Sequence, residues 1–176
     1  MEALIRVKYN NVTGYGIKND IAVAYISRVA SQAMYASLGN QHGAIEAGRC
    51  ERRVAFIRDP LARHVSAYRL MKMIYTQGIE RVPNQALMSY GAFCEYSVEN
   101  EDQHWLPQME TLRRYGDLIT EHYPLELLLR KWVEFFRLLP PIMNEALVEY
   151  PANVRPAGVL ELYYAEDIEM RESLRG

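Results

Sequence analysis

Arg58 and Ser66 are the residues of this chain best suited to hold an anion. Arg58 ends an apolar run, Val54 to Ile57, and is followed by Asp59 and Pro60, an N-cap residue and the residue best tolerated at the first helical position. A guanidinium at the tip of a strand, beside the orphan N–H groups of a helix start, suits a dianionic phosphate. Ser66 follows Arg58 by eight positions, slightly over two helical turns, so its hydroxyl can face the same side and donate a further bond. The same residues permit a structural reading, in which Arg58 pairs with Asp59 or another carboxylate and Ser66 is only a small helix residue.

Other groups have types suited to chemistry. Arg28, Val29, Ala30, Ser31 and Gln32 follow an earlier apolar run, where a polar turn leads directly into a helix. His42, in GNQHGAIEAGRC, has an imidazole able to accept a proton near neutral pH, with Glu46 as its substitute. A lone His in a polar loop can equally be solvated. His104 and Trp105, in DQHWLPQ, set an imidazole beside an indole that could stack on a sugar face. In the alternative, Trp105 fills the core and His104 caps a helix or satisfies a backbone carbonyl. His64 reads as a buried or partly exposed helix residue, and no cluster of His, Cys and carboxylates has metal-site spacing.

These side chains need a scaffold, and the hydrophobic pattern supplies one. Ile21 to Ile26 is a nearly continuous apolar run, the pattern of a central strand buried on both faces. Ser31 to Leu38 predicts a short helix stopped by Gly39. A second buried strand spans Val54 to Ile57, and a long helix starts at Pro60, with Leu61, Val65, Tyr68, Lys72 through its stem and Tyr75 on its core stripe and Arg63, Ser66 and Arg69 elsewhere on its circumference. Further expectations are a strand at Leu4 to Tyr9, turn chemistry at Gly14 and Gly16, a helix from Pro83 through Tyr96, and a strand at Asp117 to Thr120. A helix from Pro124 to Leu139 and a final helix from Tyr164 to Leu174, capped near Asp167, complete the pattern. Strands alternating with helices predict an α/β fold, a three-layer P-loop-like domain with a mainly parallel central sheet flanked by helices.

Length and charge narrow the possibilities. At 176 residues the chain fits one domain, 1–176. Twenty Lys and Arg against 22 Asp and Glu leave a net charge of −2, so no global positive field exists to hold a nucleic-acid backbone, and any anion site must be local. Two cysteines are too few for a disulfide framework. The first twenty residues contain no signal-peptide-like apolar stretch, and the most apolar helix is interrupted by Arg130, Lys131, Glu134 and Arg137, so neither secretion nor membrane insertion is expected. A cytoplasmic protein of a bacterium or phage fits this pattern.

The segment Arg53 to Arg69, RVAFIRDPLARHVSAYR, resembles the 3′-phosphate-binding motif of sulfotransferases that use 3′-phosphoadenosine-5′-phosphosulfate (PAPS). Its form, R-D-P-x-x-R-x-x-S-x-Y-R, is similar to that of the branch acting on carbohydrates, with Arg58, Asp59, Pro60, Arg63, Ser66, Tyr68 and Arg69 in register. The resemblance implies that Arg58 and Ser66 hold the 3′-phosphate of PAPS. It also implies that Arg28 to Gln32 replace the family's K-x-G-[ST]-[ST] loop around the 5′-phosphosulfate, with Arg28 stabilising the leaving oxygen. His42 would be the general base, and His104 and Trp105, similar to an H-W-x-P segment of the family, would lie on the acceptor side. The acceptor would be a hydroxyl, on a carbohydrate, and the reaction needs no metal. The loop departs from the pattern. Arg28 is larger than Lys and donates no proton at neutral pH, Ala30 limits positive φ, and Gln32 lacks a hydroxyl. These departures motivate a second reading, a sulfotransferase-like protein impaired in catalysis that acts as a nucleotide-binding or structural subunit. A nucleotide kinase would need G-x-x-x-x-G-K-[ST], which the chain lacks.

Overall fold

The computed structural model describes residues 12–76, 89–138 and 158–175. The expected strand at Leu4 to Tyr9 and the helix start at Pro83 lie outside them. Within them the chain is α/β, with a four-stranded, mostly parallel sheet flanked by helices. Strands β1 (Tyr15–Lys18), β2 (Ile21–Ala24), β3 (Arg52–Ile57) and β4 (Glu121–Pro124) lie side by side in that order. β1 pairs antiparallel with β2, and β2–β3 and β3–β4 are parallel.

β2 behaves as its apolar run predicts: all four residues are buried, between β1 and β3. Only its end differs, because residues 25 and 26 leave the sheet while remaining buried. β1 was expected only as turn chemistry. Asn19 and Asp20 explain it, since both adopt positive φ (53° and 61°), the conformation of the two-residue turn whose twist matches a hairpin. At the other end of β1, Gly14 has φ 79° and a Cβ there would lie 2.5 Å from the carbonyl oxygen of His42. A side chain is excluded there, and the 41–43 segment closes onto Tyr15.

Helix α1 (Ser31–Leu38) ends at Gly39 in the left-handed conformation, as predicted. α2 (Ala44–Ala47) is a single turn. α3 (Pro60–Thr76) begins where the Asp59–Pro60 pair places it: the Asp59 carboxylate accepts the N–H of Ala62 at 2.8 Å. α4 (Tyr90–Glu99) is capped by the Ser89 hydroxyl. α5 (Gln108–Arg114) follows Pro107, and α6 (Leu128–Phe136) follows a short 3₁₀ turn at Leu125–Leu127. α7 (Gly158–Tyr163) and α8 (Ala165–Ser173) close the described chain.

Two placements correct the sequence pattern. The strand expected at Asp117 to Thr120 lies four residues later, because Gly116 and Asp117 take positive φ and turn the chain after α5. Asp167 does not cap its own helix. Fully buried on α8, it accepts the N–H groups of Gln108 (2.7 Å) and Met109 (2.9 Å) and so caps α5 from another element.

The core has two parts. One packs the sheet against Met34, Leu112, Leu128, Trp132, Phe135 and Phe136. The other, built from Val65, Phe93, Trp105, Leu160 and Tyr164 among others, joins α3 to α4 and α7. α3 is therefore buried on more than its predicted stripe: Arg63 and His64 are completely inaccessible, and Ser66 is 4% exposed. Among the described residues no helix is long and apolar enough to cross a membrane.

Candidate functional site

The loop between β2 and α1 and the junction between β3 and α3 meet at the carboxyl ends of two adjacent parallel strands. In open α/β sheets that is where ligand crevices form. Three side chains named from the sequence converge here. Arg28 donates from Nε (3.1 Å) and from Nη2 (2.5 Å) to the hydroxyl of Ser66. Arg58 donates from Nη1 to the backbone carbonyl of Arg28 at 3.1 Å. Ser66 and Arg58 thus approach the same residue, one at its guanidinium and the other at its carbonyl.

The loop has an unusual backbone. Arg28 (φ 63°) and Ala30 (φ 54°) are both left-handed, although neither is glycine. The expectation that Ala30 would keep out of positive φ is overturned. Val29, 1% exposed, anchors the loop between these two residues, and its N–H reaches the carbonyl of Ile26 at 3.1 Å. Strain of this kind persists where the surroundings over-determine a conformation, and it clusters at functional sites. Ala30 is the N-cap of α1 and supplies no side-chain acceptor, and no acidic residue occupies the first turn. The positive end of the α1 dipole is left without a carboxylate of its own. Ser31 is buried, and Gln32 is exposed at the start of the helix.

The residue that locks this loop carries no local sequence signal of that role. Arg63, one turn before Ser66 on α3, spends its guanidinium on three backbone carbonyls: Nε to Ser27 (2.8 Å), Nη1 to Leu106 (2.7 Å) and Nη2 to Gln103 (3.1 Å). It ties the Ser27–Arg28 loop to the 103–106 segment through the protein interior. Burial pushes its pKa below the ordinary arginine value. Periodicity put Arg63 off the core stripe; the three carbonyl acceptors that bury it come from loops, which leave no periodic signal.

Arg58 is fixed by a second device. The fully buried side chain of Gln108 accepts the Arg58 N–H and donates to the Arg58 carbonyl, both at 2.9 Å, as a neighbouring strand would. Its Nε2 also reaches Asp167 at 3.2 Å, so the carboxylate that caps α5 holds the side chain that holds the end of β3. Burial raises the Asp167 carboxyl above its usual value, against the lowering effect of its bonds to Met109 and Gln108.

The remaining predicted residues lie around this centre. His42 is half-buried, its backbone bridged to Tyr15 in both directions (3.0 and 2.8 Å) next to the last pair of the β1–β2 hairpin. None of the bonds among Arg28, Arg58, Ser66 and Arg63 involves it. Glu46 is exposed on α2. His104 sits in the segment held by Arg63, and its Nδ1 lies 2.6 Å from Asp102 Oδ1, which also accepts the His104 N–H at 2.8 Å. Burial alone would raise the Asp102 carboxyl, but these two bonds outweigh it and hold the group below its ordinary value. Trp105 is 4% exposed, packs edge-on against Phe93 and donates its indole N–H to the Asn100 carbonyl at 2.7 Å. A ring so covered cannot stack on a sugar, and the acceptor-side expectation for Trp105 gives way to its core role.

His64 is structural, as read. Its Nε2 lies 2.8 Å from Ser97 Oγ and its Nδ1 lies 3.0 Å from the Tyr90 hydroxyl. The Ser97 hydroxyl donates to the Cys94 carbonyl, so it must accept from Nε2–H, and Nδ1 accepts from Tyr90. Burial, aided by the adjacent Arg63 charge, lowers the pKa of this imidazole to about 4.

No protein-family model, curated protein or solved structure matches the chain. Its chemistry therefore rests on geometry and on the motif.

Proposed function

We propose that this chain is a PAPS-dependent sulfotransferase acting on a hydroxyl acceptor of carbohydrate type, on a three-layer P-loop-like scaffold. The observation that supports it best is the meeting of Arg28, Ser66 and Arg58 where two parallel strands end. A nucleotide with phosphates at its 3′ and 5′ ends requires two anion sites on adjacent strand-to-helix loops, and these are the two loops in contact here. The Ser66 hydroxyl, now an acceptor from Arg28, is the kind of group that turns to donate when a phosphate arrives. Guanidinium–phosphate bonds are charge-assisted and stronger than guanidinium–hydroxyl bonds, so the anion displaces the Arg28–Ser66 contact.

In this mechanism Arg58 and Ser66 hold the 3′-phosphate. Arg28, with the N–H groups at the start of α1, holds the 5′-phosphosulfate and stabilises the charge that develops on the departing phosphate oxygen. The acceptor oxygen attacks sulfur in line, its proton passing to His42 or to His104, whose ring Asp102 orients. The S–O bond to the 5′-phosphate breaks, leaving a sulfate ester and 3′-phosphoadenosine-5′-phosphate. Positioning and electrostatics supply most of the acceleration.

Calorimetric titration with 3′-phosphoadenosine-5′-phosphate tests the donor site. Saturable binding that Arg58→Ala weakens at least a hundredfold is expected; an absence of saturable heat with the unaltered protein overturns the reading. A second reading, donor binding without turnover, draws on the Arg28 substitution in the phosphosulfate loop. Sulfate-radiolabelled PAPS distinguishes the two, because only a working transferase passes label to an acceptor.

A further inference from the structure

A cleft of about 250 Å³ is lined by Thr13, Glu101, Asp102, Gln103, Leu106, Thr111, Arg114 and Tyr115. Each of its walls is fastened to the short stretch Tyr25–Ser27 that leads into Arg28. The Thr13 wall is held through Gly14, whose carbonyl accepts the Tyr25 N–H at 2.8 Å. The Tyr115 wall is held by its own hydroxyl, which donates to the Tyr25 carbonyl at 3.1 Å. The 101–106 wall is held by Arg63, whose guanidinium grips the carbonyls of Gln103, Leu106 and Ser27 together. The cleft and the stretch leading into Arg28 are therefore parts of one hydrogen-bonded assembly.

We propose that this cleft is the acceptor site and that it takes a single neutral sugar ring. The inference rests on the donor reading, since it names the acceptor side of that site. The lining supports the class. Carboxylate, amide and hydroxyl groups from Asp102, Gln103 and Thr13 provide both donors and acceptors, as a polyhydroxyl ring requires, while the buried Thr111 hydroxyl donates to the Pro107 carbonyl. Asp102 uses Oδ1 for both bonds from His104, leaving Oδ2 with no protein donor among the described residues and ready to accept a ligand hydroxyl. The charge disfavours an anionic glycan. The cation of the cleft, Arg114, is committed to Glu101 and Glu110, and Asp102 contributes a further negative charge. The volume is below the roughly 300–1,000 Å³ of drug-sized pockets, so one ring fits and a second extends into solvent.

Saturation-transfer NMR on the whole chain tests this, with a mixture of lactose, N-acetyllactosamine, maltose and mannobiose as the neutral probe and chondroitin sulfate as the anionic one. Transfer to at least one neutral disaccharide is expected, stronger on one ring than on the other. Asp102→Asn and, on another wall, Thr13→Val should each reduce it at least fivefold. The proposal is overturned if no neutral probe receives saturation, if both wall variants bind like the parent, or if chondroitin sulfate is preferred. Because 3′-phosphoadenosine-5′-phosphate binding is measured separately, sugar binding can fail while the donor reading stands, and the reverse.

Discussion

The Ser66 hydroxyl accepts two hydrogen bonds from the Arg28 guanidinium, joining residues 38 positions apart in sequence and placed on different strand-to-helix loops. Ser66 is buried beneath that guanidinium. It is one turn from Arg63, which grips the carbonyl of Ser27 next to Arg28. The face of α3 that bears Arg63 and Ser66 thus organises the loop after β2 through two independent contacts.

Ser66→Ala should weaken 3′-phosphoadenosine-5′-phosphate about tenfold. Hydrogen bonds to charged partners contribute about 1.5–3 kcal/mol each, and the lower figure applies because Arg28 remains in place. Titration calorimetry measures the change. A variant that binds as tightly as the parent would show that the phosphate never reaches this hydroxyl.

Ala30→Gly should stabilise the protein by about 0.5–1 kcal/mol. The left-handed conformation costs an L-residue about 1–2 kcal/mol, and part of the gain is offset by the greater freedom of glycine in the unfolded chain. Urea unfolding followed by circular dichroism should show a higher midpoint with an unchanged slope. An unchanged or lower midpoint would mean that Ala30 carries no strain in solution.

How much of this was legible beforehand depends on the range of the forces involved. β2, α1, the end of β3 and the start of α3 are written in local code, as an apolar run, a Gly stop and an Asp–Pro start, and they formed where read. β1 was missed because its pairing follows from an Asn–Asp turn that also reads as loop, and the Asp117 strand shifted because the chain first turns at positive φ. Arg58 and Ser66 could be named from type and spacing, and Arg28 from the resemblance of its loop to the family's phosphosulfate loop. Gln108, Asp167 and Arg63, which hold that group in place, could not, since each acts on the backbone of a segment 30 to 60 residues away. Any side-chain donor could bond to a carbonyl and any carboxylate to an N–H; only the fold selects which one does.

Arg63→Met should destabilise the fold by about 3–5 kcal/mol, comparable to removing one partner of a buried ion pair. Methionine matches much of the volume but leaves the Ser27, Gln103 and Leu106 carbonyls without the donor they share. Thermal and urea unfolding should both report the loss. Arg63→Lys should recover only part of it, because an ammonium is compact and lacks the planar fork that reaches three acceptors at once. If either variant unfolds like the parent, the two loops are held by something else.

Acid should destabilise the protein in a window set by His64. In the folded chain its pKa is lowered from 6.5 to about 4 by burial and by the Arg63 charge. Above pH 6.5 the ring is neutral in both states and its contribution is complete. As pH falls from 6.5 towards 4 the unfolded chain takes up a proton that the folded one refuses, so stability declines; below pH 4 both states are protonated and the loss stops growing. Between pH 7 and pH 5 linkage gives a decline of about 2 kcal/mol. Glu121, held at about 2 chiefly by its bond from Arg52, adds its own loss only at lower pH, as the medium passes below the usual carboxylate value. Urea unfolding across this range separates the two, because His64→Gln should reduce the decline between pH 7 and 5 to the part contributed by His122, whose pKa burial also lowers, while leaving the lower limb intact. A parent profile already flat between pH 7 and 5 would mean that the ring takes up its proton in the folded state, contrary to its burial between Tyr90 and Ser97.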